Sequence, residues 1–492
     1  MKNISKVIAL LLVLAMIVPL LISCGKSSGG GKSNGTGIES DTIVPDDVKF
    51  EGEKFTILCR EDNAWGNFLH EVKADEDATE LVNEQVYKRN AEVESRFGLT
   101  LDIYAIAGQW AAKDEFVNTF KNSILSNSSS FDLIMGYQAY MADPGLTELY
   151  ANFNEVPYVK DNLGASYYFQ DIIKEMTVNN KLFFLVGDYN LTYWEYLYVM
   201  YFNKKLAENY QLEDLYALVK DGKWTYDKMV EMTKGVFTDM NGDAYPDPSD
   251  QFGYISDIPN VTDAFYSFFN VQPTSRDENN DIVISIDQAK MVEILEKVIA
   301  FKKSDDTYFD YSYSSQTTDE KVLNTIFQEN RALFYPETLS KAQDFRGMET
   351  DFGIIPYPKW NENQEGYYTQ SQNGYSVAVV PIDVKNMEMT GAVLDVMNAL
   401  SNKNVIPAYY DQALKSKYAR DDQSGEMLDL IRDGFKLNFG YSYYAALGMG
   451  GIFRELVQQE NSNFVSYYAV NSKGYERNLK KILKTYEDQT EE

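Results

Sequence analysis

One histidine, His70, and two cysteines, Cys24 and Cys59, stand in a chain of 492 residues. A Ser-His or Cys-His nucleophile, or a His-ligated zinc, would have to pass through His70 alone, so these chemistries are disfavoured. A disulfide framework needs more cysteines than this. Basic residues are the next shortage: 45 Lys and Arg face 74 Asp and Glu, a formal charge of −29. Such a polyanion repels phosphate backbones, which argues against a nucleic-acid partner. Glycine and proline are too few for a collagen-like chain, and the aromatics too many for a disordered one.

Aromatic residues make up 14% of the chain, and 37 of them are tyrosines. A tyrosine offers an apolar ring and a hydroxyl together, so the excess suits a wet binding surface as well as amphipathic packing. The length exceeds what one hydrophobic core usually supports, and two lobes are expected.

The N-terminus reads as an export signal. Lys2 and Lys6 precede an apolar run from Val7 to Ile22, broken by Pro19 and short for a membrane span. Leu21-Ile22-Ser23-Cys24 matches a lipobox, in which the cysteine is acylated and becomes the mature N-terminus; cleavage elsewhere or an uncleaved anchor is the alternative. The stretch from Gly25 to Asp47 is rich in Gly, Ser, Asn and Thr, the composition of a flexible tether. We expect residues 1–23 as signal peptide, 24–49 as tether, and a body lipid-anchored to the outer face of the cell membrane through Cys24.

Beyond the tether the chain alternates strands and helices. Lys54 to Cys59 reads as a buried strand, 78–96 as a helix closed by Gly98, Leu99 to Ile106 as a strand, Phe116 to Leu125 as a helix, and Phe131 to Gln138 as a strand. That order implies an α/β fold with a doubly wound parallel sheet. Leu182 to Tyr189 reads as a further strand and turn. Leu197 to Phe202 is another β-rich run, and Trp224-Thr225-Tyr226-Asp227 opens a helix with Thr225 as N-cap and Asp227 in its first turn. Residues 288–303 carry a clean apolar helical face, and helical patterns recur at 391–402, 408–414, 425–434 and 464–486.

The run Tyr201-Phe202-Asn203-Lys204-Lys205-Leu206 followed by Trp224-Thr225-Tyr226-Asp227 resembles the middle of bacterial extracellular solute-binding lipoproteins of ABC importers, in their carbohydrate-binding, maltose-binding-protein-like branch. Phe131-Asp132-Leu133-Ile134-Met135-Gly136 resembles their third strand, and residues 322–335 their helix, turn and strand, with Asn330 in place of the usual glycine. Phe352-Gly353-Ile354-Ile355-Pro356-Tyr357-Pro358 and Gly374-Tyr375-Ser376-Val377 resemble two later segments. The resemblance implies a two-lobe periplasmic-binding-protein-like fold, each lobe a sheet flanked by helices and joined by hinge crossovers. It places 50–194 plus 331–400 in the first lobe and 195–330 plus 401–492 in the second.

Candidate ligand-binding residues follow. Trp65 lies in the loop after the first strand, at a carboxyl end where α/β folds meet ligands. The resemblance adds Tyr137 and Gln138 past the third strand. It adds Tyr189, Trp194 and Glu195 at the first crossover, and Tyr335 and Glu337 where the chain is expected to return to the first lobe. Gln370, Gln372 and Asn373 form a polar edge, and either Tyr441 or Tyr443 is expected to stack on a sugar. Asp239, Asn241, Asp243, Tyr245, Asp247 and Asp250 are spaced like the oxygen ligands of an EF-hand loop, with glycine and the final acid out of pattern. A single structural Ca²⁺ or a turn held by Asx-type hydrogen bonds would each account for it; no organic cofactor is expected.

Taken together, these features lead us to expect a monomeric substrate-binding lipoprotein that delivers a neutral sugar or oligosaccharide to an ABC permease. Aromatic faces and amide or carboxylate acceptors suit the C–H and O–H surfaces of sugars. A surface glycan-capturing module without transport shares these features. A glycoside hydrolase would need a carboxylate pair whose spacing the sequence does not reveal.

Overall fold

The structure is a computed structural model and describes residues 42–63, 66–310, 320–410 and 422–487. Cys24, with the expected signal and most of the tether, lies outside the described residues, as does Trp65. Among the described residues no helix is long and apolar enough to cross a membrane.

The strands are β1 (Lys54–Arg60), β2 (Thr100–Ile106), β3 (Leu133–Tyr137), β4 (Tyr198–Asn203), β5 (Phe252–Asp257), β6 (Thr274–Arg276), β7 (Ile282–Ile284), β8 (Thr307–Asp310), β9 (Ala332–Thr338), β10 (Phe352–Ile355) and β11 (Ser376–Val379). They form two main sheets, ordered β11-β3-β1-β2 and β10-β4-β9-β5-β8, and a small β6-β7 hairpin. In the first sheet β1 runs parallel to β2 and β3, with Ile57 opposite both Ile103 and Leu133, while β11 returns antiparallel to β3. In the second, β5 is parallel to β8 and β9, and β4 is antiparallel to β9 and β10.

Helices cover these sheets because their apolar faces need a partner. Leu81–Phe97 turns Val86, Val93 and Phe97 inward and stops at Gly98, whose φ of 71° is cheap only for glycine. Thr225 caps Tyr226–Thr233 by accepting the Lys228 N–H at 3.3 Å. Asn330, standing where a glycine was expected, adopts φ 62°, which asparagine tolerates.

Two connections between the sheets run side by side. Tyr198 N donates to the Gln370 carbonyl at 3.1 Å, and Gln372 N donates to the Tyr196 carbonyl at 2.8 Å. Met387–Leu400 runs into a π-turn at Ser401–Val405, and the later helix Asp422–Asp433 lies against β10, where Ser424 Oγ accepts the Ile354 N–H at 3.3 Å.

Two expectations are corrected. Residues 331–355 do not return to the first lobe: β9 is buried throughout between β4 and β5, and β10 pairs with β4, so the return falls at the 370–376 segment. Residues 182–189 form no ladder strand but two isolated bridges, Gly187 to Tyr168 and Leu185 to Ala378, the latter exchanging hydrogen bonds of 3.0 and 2.9 Å.

Candidate binding site between the two lobes

The parallel strands of the first sheet point their carboxyl ends at the boundary between the sheets, which places Arg60 at the end of β1 beside Tyr137 at the end of β3. The Arg60 guanidinium stacks 3.8 Å from the centre of the Phe68 ring and 5.2 Å from that of Tyr137. Tyr137 in turn meets Trp110 edge-on at 6.2 Å, and Tyr196 meets Phe68 the same way at 6.2 Å. Trp110 is 45% exposed and carries the Lys113 ammonium over its face at 4.6 Å.

The second lobe answers with residues that follow the carboxyl end of β5. Asp263, in the turn Thr262–Ala264, pairs with Arg454 of Ile452–Gln458, and Arg454 lies 5.9 Å from the Tyr444 ring. Tyr441 packs on Tyr444 and Tyr266 at 5.8 and 6.2 Å. Burial pushes the Asp263 carboxyl up to about 6, and Arg454 opposes the rise. The Tyr137 hydroxyl is pushed up by burial and drawn back by Arg60, Gln372 and Arg454, so arginines of both lobes act on the same ring.

Buried polar atoms are normally hydrogen-bonded, which makes the exceptions here informative. Arg60 Nε and Nη1, Asp263 Oδ1, Arg454 Nε and Gln370 Nε2 all lack a partner. A separate cavity of about 320 Å³, lined by Tyr226, Val230, Phe301 and Asp306 in the second lobe, has none on its lining.

Several expected residues join this group. The Tyr137 hydroxyl donates to Asn373 Oδ1 at 3.2 Å, and Gln372 lies alongside, its Oε1 accepting the Gly374 N–H at 2.6 Å. Gln138 reaches across the boundary and donates from Nε2 to the Ser442 carbonyl at 2.6 Å. Gln370 accepts from Ser267 Oγ at 2.6 Å. Of the two tyrosines left open, Tyr441 borders the group. Tyr443 is enclosed against Phe439 and Phe184, its hydroxyl 2.6 Å from that of Tyr486.

Others are placed elsewhere, and for these the expectation is corrected. Tyr189 is fully buried under the Arg89 guanidinium at 4.6 Å. Trp194 donates from its indole to Asp188 Oδ1 at 3.0 Å and packs on Phe169 and Tyr410. Tyr335 lies in the aromatic core with Phe327 and Phe345, donating to Asn324 at 3.1 Å. In each case packed neighbours bury the ring and leave a ligand no face. Glu337 is buried opposite Val199, its Oε1 taking the Thr338 N–H at 2.6 Å. Glu195 meets His70 Nε2 at 2.9 Å; burial would lower the imidazole, but Glu195, with Glu71 and Asp62, raises it to about 9.

The acidic loop folds on itself. Asp239 accepts the N–H groups of Gly242 and Ala244 at 2.6 and 3.0 Å, and Asp250 those of Met240 and Asp247 at 2.9 and 3.0 Å. Asp243 takes the Tyr245 N–H at 2.8 Å, and the Asn241 amide nitrogen sits 3.1 Å from both Asp243 and Asp247. Among the described residues no three His, Cys, Asp or Glu side chains converge to hold a metal.

Phe68, Trp110, Tyr196, Asp263, Tyr444, Arg60 and Arg454 were not anticipated. Only Arg60 left a signal, a charged residue closing an apolar strand.

No protein-family model and no curated protein matches the chain. Solved structures do. A cyclo/maltodextrin-binding protein complexed with maltotetraose superposes with a TM-score of 0.54 at 11% identity, covering 89% of this chain and 97% of that one. The GacH receptor of Streptomyces glaucescens, described in complex with acarbose, gives 0.55 at 12% identity over 87% and 99%. The galacto-N-biose/lacto-N-biose I-binding protein of an ABC transporter from Bifidobacterium longum gives 0.56 at 11% identity over 88% and 99%. At these identities the shared property is the fold: two lobes, each a sheet flanked by helices, joined by crossovers beside the site.

Proposed function

We propose that the chain is the substrate-binding component of an ABC importer, closing its lobes on a sugar or oligosaccharide and presenting it to a permease. One observation carries this reading: ring faces and unpartnered polar atoms from both lobes meet at a single boundary. Such a ligand stacks its C–H faces on Tyr137, Trp110 and Tyr444 and fills open donors and acceptors with its hydroxyls. Contact with both lobes is required, because only a ligand that binds the closed form better can shift the equilibrium toward it. The fold-sharing proteins are named as binders of maltotetraose, acarbose and lacto-N-biose, which supports the ligand class.

The test is thermal-shift screening of mono- and oligosaccharides, followed by calorimetry and small-angle scattering. A binder raises the unfolding midpoint by mass action and reduces the radius of gyration. Turnover of a bound oligosaccharide would overturn the binding-protein reading, and the absence of any saccharide binder would overturn the ligand class. Acylation of Cys24 belongs to the same proposal: a Cys24→Ser chain should escape into the medium, and retention at the membrane counts against the lipid tether.

A structural calcium in the 239–250 loop is a lesser proposal, supported by the all-oxygen donor set. It requires Asn241 to turn its amide so that oxygen faces Asp243 and Asp247. Millimolar calcium should then raise the unfolding midpoint and a chelator reverse it; identical melting in both would dispose of the ion.

A further inference from the structure

We infer that the ligand is an acidic saccharide, and that Arg60 binds its anionic group, a carboxylate or a sulfate ester. This rests on the sugar-binding reading above and revises the expectation of a neutral ligand.

Arg60 is 1% exposed, yet of its three nitrogens only Nη2 has a partner, the Ser376 hydroxyl at 2.9 Å. Phe68 and Tyr137 pack on the guanidinium, and its Nε and Nη1 stay without a hydrogen-bond partner beside them. A stacked guanidinium with two unpartnered nitrogens is suited to an oxyanion, since it is planar, always charged and weakly hydrated.

Among the described residues, the neighbouring carboxylates make no direct ion pair with Arg60. Glu71 feels the Arg60 charge, which opposes the upward push of burial on its carboxyl, but its oxygen takes the Thr192 N–H and hydroxyl at 3.1 and 2.9 Å. Asp62 takes the N–H groups of Phe68 and Leu69, both at 2.7 Å. Across the boundary Asp263 is paired with Arg454, itself left with an open Nε. Tyr137 therefore lies among two arginines and one carboxylate, and that carboxylate is already bound to one of them. A neutral hydroxyl could accept from Arg60, but only an anion also balances its charge at a site this dry.

Calorimetry on the full chain, with saccharides in matched pairs, tests this. Oligogalacturonates are compared with their methyl esters, glucuronate-branched xylo-oligosaccharides with unbranched ones, and sulfated galacto-oligosaccharides with desulfated ones. The expected result is that at least one acidic member binds ten-fold or more tightly than its neutral counterpart, with affinity falling as salt rises. The pair showing the preference separates carboxylate from sulfate. Arg60→Gln should erase that preference, and Arg60→Lys should keep part of it; should Arg60→Gln not fold, Arg454→Gln must still narrow the preference. Equal or tighter binding of the neutral members, or equal losses for both members in Arg60→Gln, would overturn the inference while leaving sugar binding intact. If no saccharide of either kind binds, both readings fall.

Discussion

His70 and Glu195 form a nearly buried ion pair, their side chains 17% and 15% exposed, at the foot of the first crossover. The imidazole pKa rises from 6.5 to about 9 on folding, so the folded state binds the proton more tightly. Its stabilisation is complete below pH 6.5 and is lost as pH rises through 9. At 1.36 kcal/mol per unit the loss is about 3 kcal/mol as an upper figure. Urea unfolding at pH 6 and pH 9.5 should therefore show the wild type losing stability that His70→Gln never had, with the two curves converging at the higher pH. Parallel losses in both proteins would remove the pair from the account. Cys59 makes a simpler case: burial, reinforced by Glu71, pushes the thiol up to about 12. The native chain should resist a thiolate-selective alkylating reagent at pH 8 and react only once unfolded.

Residue identity alone made some of this legible. The buried strand ending at Cys59 was legible, and so was a turn at Asn330 in place of glycine, because burial of an apolar run and the left-handed tolerance of asparagine are local properties. The site's charge was not local. Arg60 and Arg454 stand in distant segments, and only the fold brings both to Tyr137.

At the scale of elements, periodicity and caps carried the reading. Thr225 and Gly98 punctuate helices where the sequence said they would, and the reason is stereochemical: an N-cap oxygen satisfies an otherwise open N–H, and glycine enters the left-handed region freely. Thr225→Ala should cost about 1 kcal/mol in chemical denaturation and Thr225→Ser close to nothing. A neutral alanine variant would mean that the Lys359 carbonyl bond to the Tyr226 N–H holds this turn without the cap. Sheet membership was harder to read. The apolar runs at 182–186 and 332–335 look alike in composition, yet only the second joins a ladder, between β4 and β5. An apolar run reports burial, whereas pairing depends on partners far along the chain. The same limit explains why Tyr189, Trp194 and Tyr335, each well placed in sequence, turned out to be core.

For the whole molecule the decisive quantity is the free-energy difference between open and closed lobes, and the contacts that cross the boundary set it. Gln138 to Ser442 is such a contact, as is Arg276, which donates to the carbonyls of Lys174, Glu175 and Thr177 at 3.0, 3.1 and 2.8 Å. Neither depends on ligand, so whichever of them lobe opening breaks favours closure before any ligand arrives. A closed form too stable without ligand would signal falsely to a permease, and one too unstable would tax affinity through its low population. Gln138→Ala removes a buried hydrogen bond of about 1 kcal/mol, which shifts an open–closed ratio roughly five-fold. The ligand-free variant should therefore scatter with a larger radius of gyration than the wild type. Its saccharide affinity should drop by at most that roughly five-fold factor, and by less the more closed the ligand-free wild type is, because the ligand must then supply the closing energy itself. Radius and affinity are linked through one equilibrium. An affinity loss well beyond roughly five-fold would show that Gln138 acts on the ligand directly rather than on closure alone.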